Sequence, residues 1–91
     1  MLTTVSTNRF LKKDVQLALR RGKNLKKLEA VILLLANQST LPANLRDHFL
    51  AGEWANHREC HIAPDCLLIY KIVGDELFLV RTGTHSDLFA K

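Results

Sequence analysis

The second half of this 91-residue chain carries side chains that can move protons and bind a phosphate. It contains all four histidines and two charged partners: His48, His57, His61, Asp65, Arg81 and His85. Imidazole titrates near neutral pH, so one such group can withdraw a proton while another donates one. A guanidinium can stabilise charge on phosphate oxygens. These groups suffice to cleave RNA, whose 2′-hydroxyl is an internal nucleophile beside the phosphate.

Two other chemistries use neighbouring residues. His57, Cys60, His61 and Cys66 include the atom types that bind zinc, but no C-x-x-C pair occurs, and His57 and Cys60 fall on opposite faces of a predicted strand. Cys66 opens a mainly apolar strand, which favours a buried thiol over a nucleophile. We therefore expect free thiols, no metal and no cofactor.

The apolar periodicity predicts two helices after a first strand, Leu2 to Ser6. Thr7 and Asn8 open the first helix, 9 to 21, which Gly22 ends. Its apolar positions follow helical spacing: Leu11, Val15, Ala18 and Leu19. Asn24 caps the second helix, which ends near Asn37 and turns these residues inward: Leu25, Leu28, Val31, Ile32 and Leu35. A surface connection follows, 38 to 44.

Beyond this connection the period changes to two, which predicts strands. His57, Glu59 and His61 alternate with Arg58, Cys60 and Ile62, so His57 and His61 share one side of a strand. A turn at Pro64-Asp65 leads to a strand buried on both faces, 66 to 73. Gly74-Asp75 predicts a hairpin to the last strand, 76 to 82. Thr84 and Asp87 resemble a capping box for a closing helical turn, 85 to 89.

These elements predict one α+β domain over residues 1–91, in the order β-α-α-β-β-β. An antiparallel sheet carries the helical hairpin on one face and the short C-terminal helical turn. Neighbouring strands of a meander start and end at shared edges, which brings His61 and Asp65 towards Arg81 and His85.

The positive charge is concentrated in the predicted helices. Residues 9–29 hold eight basic and two acidic side chains, a charge of +6, and the rest of the chain has −2. Such a segment is either a solvated helical face or a surface that contacts phosphates. No apolar run reaches the roughly 20 residues that span a bilayer, and the start lacks a signal-peptide pattern. We expect a cytoplasmic protein that does not bind membranes.

Several motifs closely resemble the YafQ branch of the RelE-like toxins, the toxin halves of bacterial type II toxin-antitoxin pairs. They are Arg46 to Trp54, Arg58 to His61, Pro64-Asp65, Leu68 to Lys71, Arg81 to His85 and Leu88-Phe89. The resemblance covers essentially the whole chain and is densest in its last 45 or so residues. One departure is Phe49, where the family commonly has proline. His57 has no counterpart among these motifs.

The resemblance implies a ribosome-dependent endoribonuclease that cuts mRNA in the decoding site without a metal and is silenced by a cognate antitoxin. Its catalytic set is His48, His61, Asp65, Arg81 and His85, assisted by Phe89. We predict that His85 is the general acid and that His48 or His61 is the general base. Asp65 is predicted to orient a histidine or to share its proton, and Arg81 to bind the scissile phosphate.

The basic helices are then predicted to dock on ribosomal RNA through Lys12, Lys13, Lys26 and Lys27. The toxin is expected to be monomeric alone and part of a hetero-oligomer when its antitoxin neutralises it. The alternative is a non-catalytic module that binds nucleic acid or protein through the same basic face, with histidines that merely pack.

Overall fold

The computed structural model describes residues 1–89 of the chain. Its regular elements are β1 (Thr3–Ser6), a π-helical turn (Phe10–Asp14) that continues into α1 (Val15–Arg20), α2 (Lys26–Ala36), β2 (His48–Phe49), β3 (Arg58–Ala63), β4 (Cys66–Val73), β5 (Glu76–Gly83) and α3 (His85–Phe89). Short 3₁₀ turns at Ala43–Leu45 and Gly52–Trp54 flank β2. No helix within residues 1–89 is long and apolar enough to cross a membrane.

The α+β class and the element order are confirmed, with two differences in the sheet. The five strands run in the order β1-β5-β4-β3-β2, and β1 is parallel to β5 while every other pair is antiparallel. The sheet is therefore mostly antiparallel, as predicted, and its parallel pair involves the edge strand β1, whose direction an apolar pattern does not encode. The extra strand β2 has two residues, too few to show a period.

The first helix starts where predicted, but its inward face differs. The Thr7 hydroxyl accepts a hydrogen bond from the Phe10 backbone N–H and donates one to the Val80 carbonyl oxygen. Phe10 and Asp14 are buried, whereas Leu11 and Leu19 are about half exposed. In the π-helical turn the Val15 N–H bonds to the Phe10 carbonyl, five residues back, which shifts the face that meets the sheet.

The second helix agrees with its predicted pattern. The Asn24 side-chain oxygen accepts a hydrogen bond from the Lys26 backbone N–H, at 2.9 Å. Leu28, Val31 and Leu35 are buried against the sheet, and Leu25 and Ile32 pack beside them. This packing fixes the helical layer on one face of the sheet.

Strand β4 is buried on both faces over residues 67–70, as its apolar run predicts, whereas Ile72 and Val73 at its end are exposed, contrary to that prediction. Leu68 and Tyr70 join the core beneath the helices, while Leu67 and Ile69 join a smaller core on the other face. Trp54, Val80, Leu88 and Phe89 complete that second core. Because α3 packs on this second face, it meets the strand residues that point away from α1 and α2.

The closing helix is held by the predicted capping box. The Thr84 N–H donates to the Asp87 carboxylate at 3.0 Å, and the Asp87 N–H donates to the Thr84 hydroxyl at 3.1 Å. His85, the first residue of α3, therefore follows β5 with one residue between them.

Replacing Leu68 by alanine tests the central position of β4. Leu68 is fully buried, so Leu68→Ala should lower the free energy of unfolding by about 2–5 kcal/mol in chemical denaturation. The matched control is Leu33→Ala on the outer side of α2, where Leu33 is 56% exposed, with an expected change within about 0.5 kcal/mol. Equal losses in the two variants would contradict the assigned core.

Candidate active site

Three histidine rings and one phenylalanine ring stand in a row on the second face of the sheet. Ring centroids lie 6.3 Å apart for His48 and His61, 6.0 Å for His61 and His85, and 6.0 Å for His85 and Phe89. β2, β3 and α3 supply these side chains, which lie 41 residues apart in sequence at the extremes. The meander thus brings together the imidazoles that the sequence predicted to meet.

A buried glutamate links two of these histidines. The Glu59 carboxylate lies 3.1 Å from His48 Nε2 and 3.9 Å from His61 Nε2, and Glu59 is only 5% exposed. His48 Nδ1 lies 2.6 Å from the Arg46 carbonyl oxygen. Because a carbonyl oxygen only accepts, Nδ1 carries a hydrogen, which leaves Nε2 facing the Glu59 carboxylate. Glu59 was not predicted as a site residue.

The signal for Glu59 was present in the sequence. Glu59 and His61 are two residues apart on a strand, so they share a face, and β2 pairs His48 directly with Glu59. The two-residue β2 gave no pattern from which this pairing could be read.

A cleft of about 430 Å³ opens beside the row of rings. His61 and His85 line it together with Lys27 and Arg46. Arg46, whose backbone adopts the left-handed conformation (φ 51°), was not predicted to belong to the site. Lys27 was predicted to dock on ribosomal RNA, and its position places a cation of the basic segment at the cleft that His61 and His85 line.

Asp65 is set apart from the histidine row. It is exposed in the turn between β3 and β4 and lines cavities on the side of Arg21 and Lys23. The carboxylate in contact with His48 and His61 is that of Glu59. The role predicted for Asp65, orienting a histidine, therefore stays a prediction.

Arg81 is engaged by an aspartate of the first helix. Its Nε and Nη2 donate to the two Asp14 carboxylate oxygens at 3.1 and 3.0 Å. Asp14 also accepts from the Thr82 backbone N–H at 3.1 Å and is 6% exposed. Arg9 approaches the same carboxylate at 3.7 Å. The guanidinium is held in one orientation by a buried bidentate pair.

This arrangement places Arg81 in a second, basic cavity of about 350 Å³, which Lys12, Lys13 and Asp87 also line. α3 borders both cavities, since His85 lines the cleft and Asp87 lines the basic cavity. Of the four predicted docking lysines, Lys12 and Lys13 therefore lie at one cavity and Lys27 at the other, and Lys26 is exposed at the start of α2.

The remaining histidine and the two cysteines lie outside the row. The His57 ring packs edge-on against Trp54, with centroids 5.4 Å apart. Both thiols are free. Burial raises the pKa of Cys60 to about 12 and also raises that of Cys66, so both thiols stay protonated near neutral pH. The residues between 1 and 89 include no group of three or more His, Cys, Asp or Glu side chains suited to hold a metal ion.

The comparisons with known proteins identify this class of molecule. A family model described as the bacterial toxin of type II toxin-antitoxin systems, YafQ, matches residues 2–90. The mRNA interferase toxin YafQ of Escherichia coli strain K12 is 46% identical over 78 residues, which are 85% of each chain. At this similarity the enzyme class is that of an endoribonuclease.

Two crystal structures share the fold. A copper-bound mutant toxin from Helicobacter pylori is 42% identical, with a TM-score of 0.92 over 98% of this chain and 100% of that one. YafQ in the E. coli DinJ-YafQ toxin-antitoxin complex is 40% identical, with a TM-score of 0.87 over 97% of each chain. The chain belongs to the YafQ family of bacterial toxins.

Removing the Asp14 carboxylate should lower the stability of the folded protein. Asp14→Ala leaves a partly buried guanidinium and the Thr82 N–H without their acceptor, so the free energy of unfolding should fall by about 3–5 kcal/mol. Thermal or urea unfolding measures this loss. Glu29→Ala removes the same charge from an exposed site on α2 and should change stability by less than about 0.5 kcal/mol. An equally small change for Asp14→Ala would show that the Asp14–Arg81 pair does not contribute to stability.

Proposed function

We propose that this toxin is a ribosome-dependent endoribonuclease that cleaves mRNA in the decoding site by acid-base catalysis without a metal. The observation that carries the proposal is the row of three imidazoles, with neighbouring centroids 6.0 and 6.3 Å apart, beside a cleft lined by Lys27 and Arg46. Proton donors, proton acceptors and cations thus converge at one open site.

The RNA supplies its own nucleophile in this mechanism. An imidazole withdraws the proton of the 2′-hydroxyl, whose oxygen attacks the phosphorus, and the bond to the 5′-oxygen breaks as that oxygen receives a proton. His85 is the general acid and His48 or His61 the general base. Adjacent rings about 6 Å apart can reach both oxygens of one phosphodiester. Asp65 lies outside the row, in the turn whose Pro64 lines the cleft, and its proposed role is to orient a histidine or share its proton once RNA is bound.

The position of Glu59 supports His48, on β2, or His61, on β3, as the general base. Its carboxylate faces His48 and His61 and stabilises the imidazolium that forms when either one accepts the proton. His85, on α3, has no such contact among residues 1–89, which suits the donating role. Phe89 presents a ring next to His85 on which an unpaired base can stack.

The cations divide into two groups in this proposal. Arg81 binds the scissile phosphate from an orientation set by Asp14, and Lys27 and Arg46 carry positive charge along the cleft. Lys12, Lys13 and Lys26 with Lys27 dock the protein on ribosomal RNA by neutralising backbone phosphates. The His48 side chain, at one end of the row, is 48% exposed, so this part of the site is open to solvent and the ribosome positions the mRNA.

The proposal treats residues 1–91 as one domain, consistent with a family model that spans residues 2–90. The toxin acts in the cytoplasm, where ribosomes hold its mRNA substrate, and is monomeric when active. A cognate antitoxin neutralises it in a hetero-oligomer, as the E. coli complex of YafQ with the antitoxin DinJ suggests.

The alternative is a non-catalytic binding module that uses the same basic face. Expression in bacteria separates the two: an active toxin stops growth and leaves cleaved mRNA, whereas a binding module does neither. The triple variant His48, His61, His85→Ala should restore growth.

The acid assignment predicts a large loss of chemistry in His85→Ala. Loss of one proton-transfer group should lower the single-turnover cleavage rate on programmed ribosomes by about 10²- to 10⁴-fold, with ribosome binding retained. His57→Ala, which removes the histidine outside the row, should keep the rate of the unmodified protein. Protein stripped with a chelator and returned to ribosome buffer should also keep it. A wild-type rate in His85→Ala would make the acid assignment wrong.

The docking role predicts a different defect when Lys12, Lys13 and Lys26 are all replaced by alanine, with Lys27 kept because it also lines the cleft. The half-saturating ribosome concentration should rise and its salt dependence should become shallower, while the rate at saturation changes little. Lys71→Ala, outside the basic segment, should retain the original salt slope. An unchanged slope in the lysine variant would remove the ribosomal-RNA role from these residues.

A further inference from the structure

The end of the first helix is joined to the helix that carries His85. Arg21, the residue after α1, donates Nη1 and Nη2 to the two carboxylate oxygens of Asp87 at 2.7 and 3.1 Å. Asp87 lies in α3, two residues after His85, and the pair spans 66 positions of sequence. Both guanidinium edge nitrogens are used, so the pair has the bidentate geometry that fixes direction as well as distance.

The Asp87 carboxylate is fixed by further contacts. The oxygen nearest Arg21 also accepts from the Thr84 N–H. The same oxygen, Asp87 Oδ2, lies close to Gly83. A Cβ at position 83 would be 2.9 Å from it, which is shorter than the contacts that real Cβ atoms make. The hydrogen bond from Arg21 is the main cause that lowers the pKa of Asp87 well below its usual range, so the carboxylate is ionised wherever the protein is active.

Besides this ion pair, α3 is held by its capping box and by the packing of Leu88 and Phe89 in the second core. It is a five-residue helix, too short to be stable alone, and Leu88 is its buried residue. His85 faces the cleft on one side of this helix and Asp87 faces the first helix on the other. A rotation of α3 about its anchor at Leu88 would move the His85 ring relative to His61.

We propose that Arg21 and Asp87 are positioning residues that hold the His85 imidazole in register with His61, an inference that rests on the proposed function. Arg21 is then no docking cation, although it belongs to the basic segment, because its charge is satisfied within the protein. An exposed ion pair contributes little to stability. The Arg21–Asp87 pair acts here by fixing the orientation of α3, since the capping box already holds the Asp87 carboxylate.

The chain offers a charge-matched control for this inference. Arg20 is exposed and precedes Arg21, so Arg20→Gln and Arg21→Gln remove the same charge from the same segment. Arg21→Gln should lower the single-turnover cleavage rate at saturating ribosomes about tenfold or more, because small displacements of a reacting group are costly. Arg20→Gln should keep that rate. The half-saturating ribosome concentration of Arg21→Gln should stay that of the unmodified protein, because the Arg21 charge is already paired with Asp87.

Two further variants separate positioning from stability. Asp87→Asn retains an oxygen that can accept from the Thr84 N–H but loses the ion pair, so its saturated rate should match that of Arg21→Gln. The double variant should be no slower than either single one, because both remove one interaction. Arg21→Lys, which restores a single charged contact, should recover part of the rate. Circular dichroism and thermal unfolding verify that each variant is folded.

The outcomes distinguish this inference from the proposed function. If the unmodified protein cleaves, His85→Ala does not and Arg21→Gln cleaves at the rate of Arg20→Gln, the positioning role is wrong and the proposed function stands. Additive losses in the double variant, or a rate loss explained by the unfolded fraction alone, also overturn it. If the unmodified protein does not cleave on ribosomes, both ideas fall.

Discussion

The hydrogen bonds of the Asp14 carboxylate connect the helical layer to the sheet on which the site is built. β1 pairs with β5 only as far as Leu79, so the rest of the β5 edge needs another partner. Asp14 provides it by accepting from the Thr82 N–H and from Arg81. The π-helical turn brings this carboxylate inward together with Phe10. A buried carboxylate without partners would strongly destabilise the fold, so Asp14 requires its hydrogen bonds to Arg81 and Thr82. The course of β5 into α3, and with it the place of His85, follows from this contact.

Much of this fold could be predicted because its signals are local. The double burial of β4, the Asn24 cap and the Thr84–Asp87 capping box each depend on a few neighbouring residues whose spacing or side-chain chemistry selects one structure. The inward face of the first helix could not be predicted in the same way. A single π-helical turn displaces the pattern, and the buried charge of Asp14 breaks the rule that apolar residues face the core.

The site was predictable to the extent that it depends on strand ends. His61 and His85 meet because an antiparallel meander returns to the same edge, and His48 joins them through β2. Glu59 and the Asp14–Arg81 pair were not found because each depends on a contact between elements far apart in sequence. A glutamate on a predicted strand is normally assigned to the surface, and Glu59 is recognised as a site residue only once its pairing with His48 is known.

Gly83 is restricted by two separate features of the structure. Its φ of +156° is a backbone conformation that side chains rarely adopt, and a Cβ there would lie 2.9 Å from Asp87 Oδ2. A small residue at position 87 would remove the second restriction and leave the first. Glycine is therefore expected at position 83 among homologues whatever residue stands at position 87, whereas the residues at positions 21 and 87 are expected to change together because they form one ion pair.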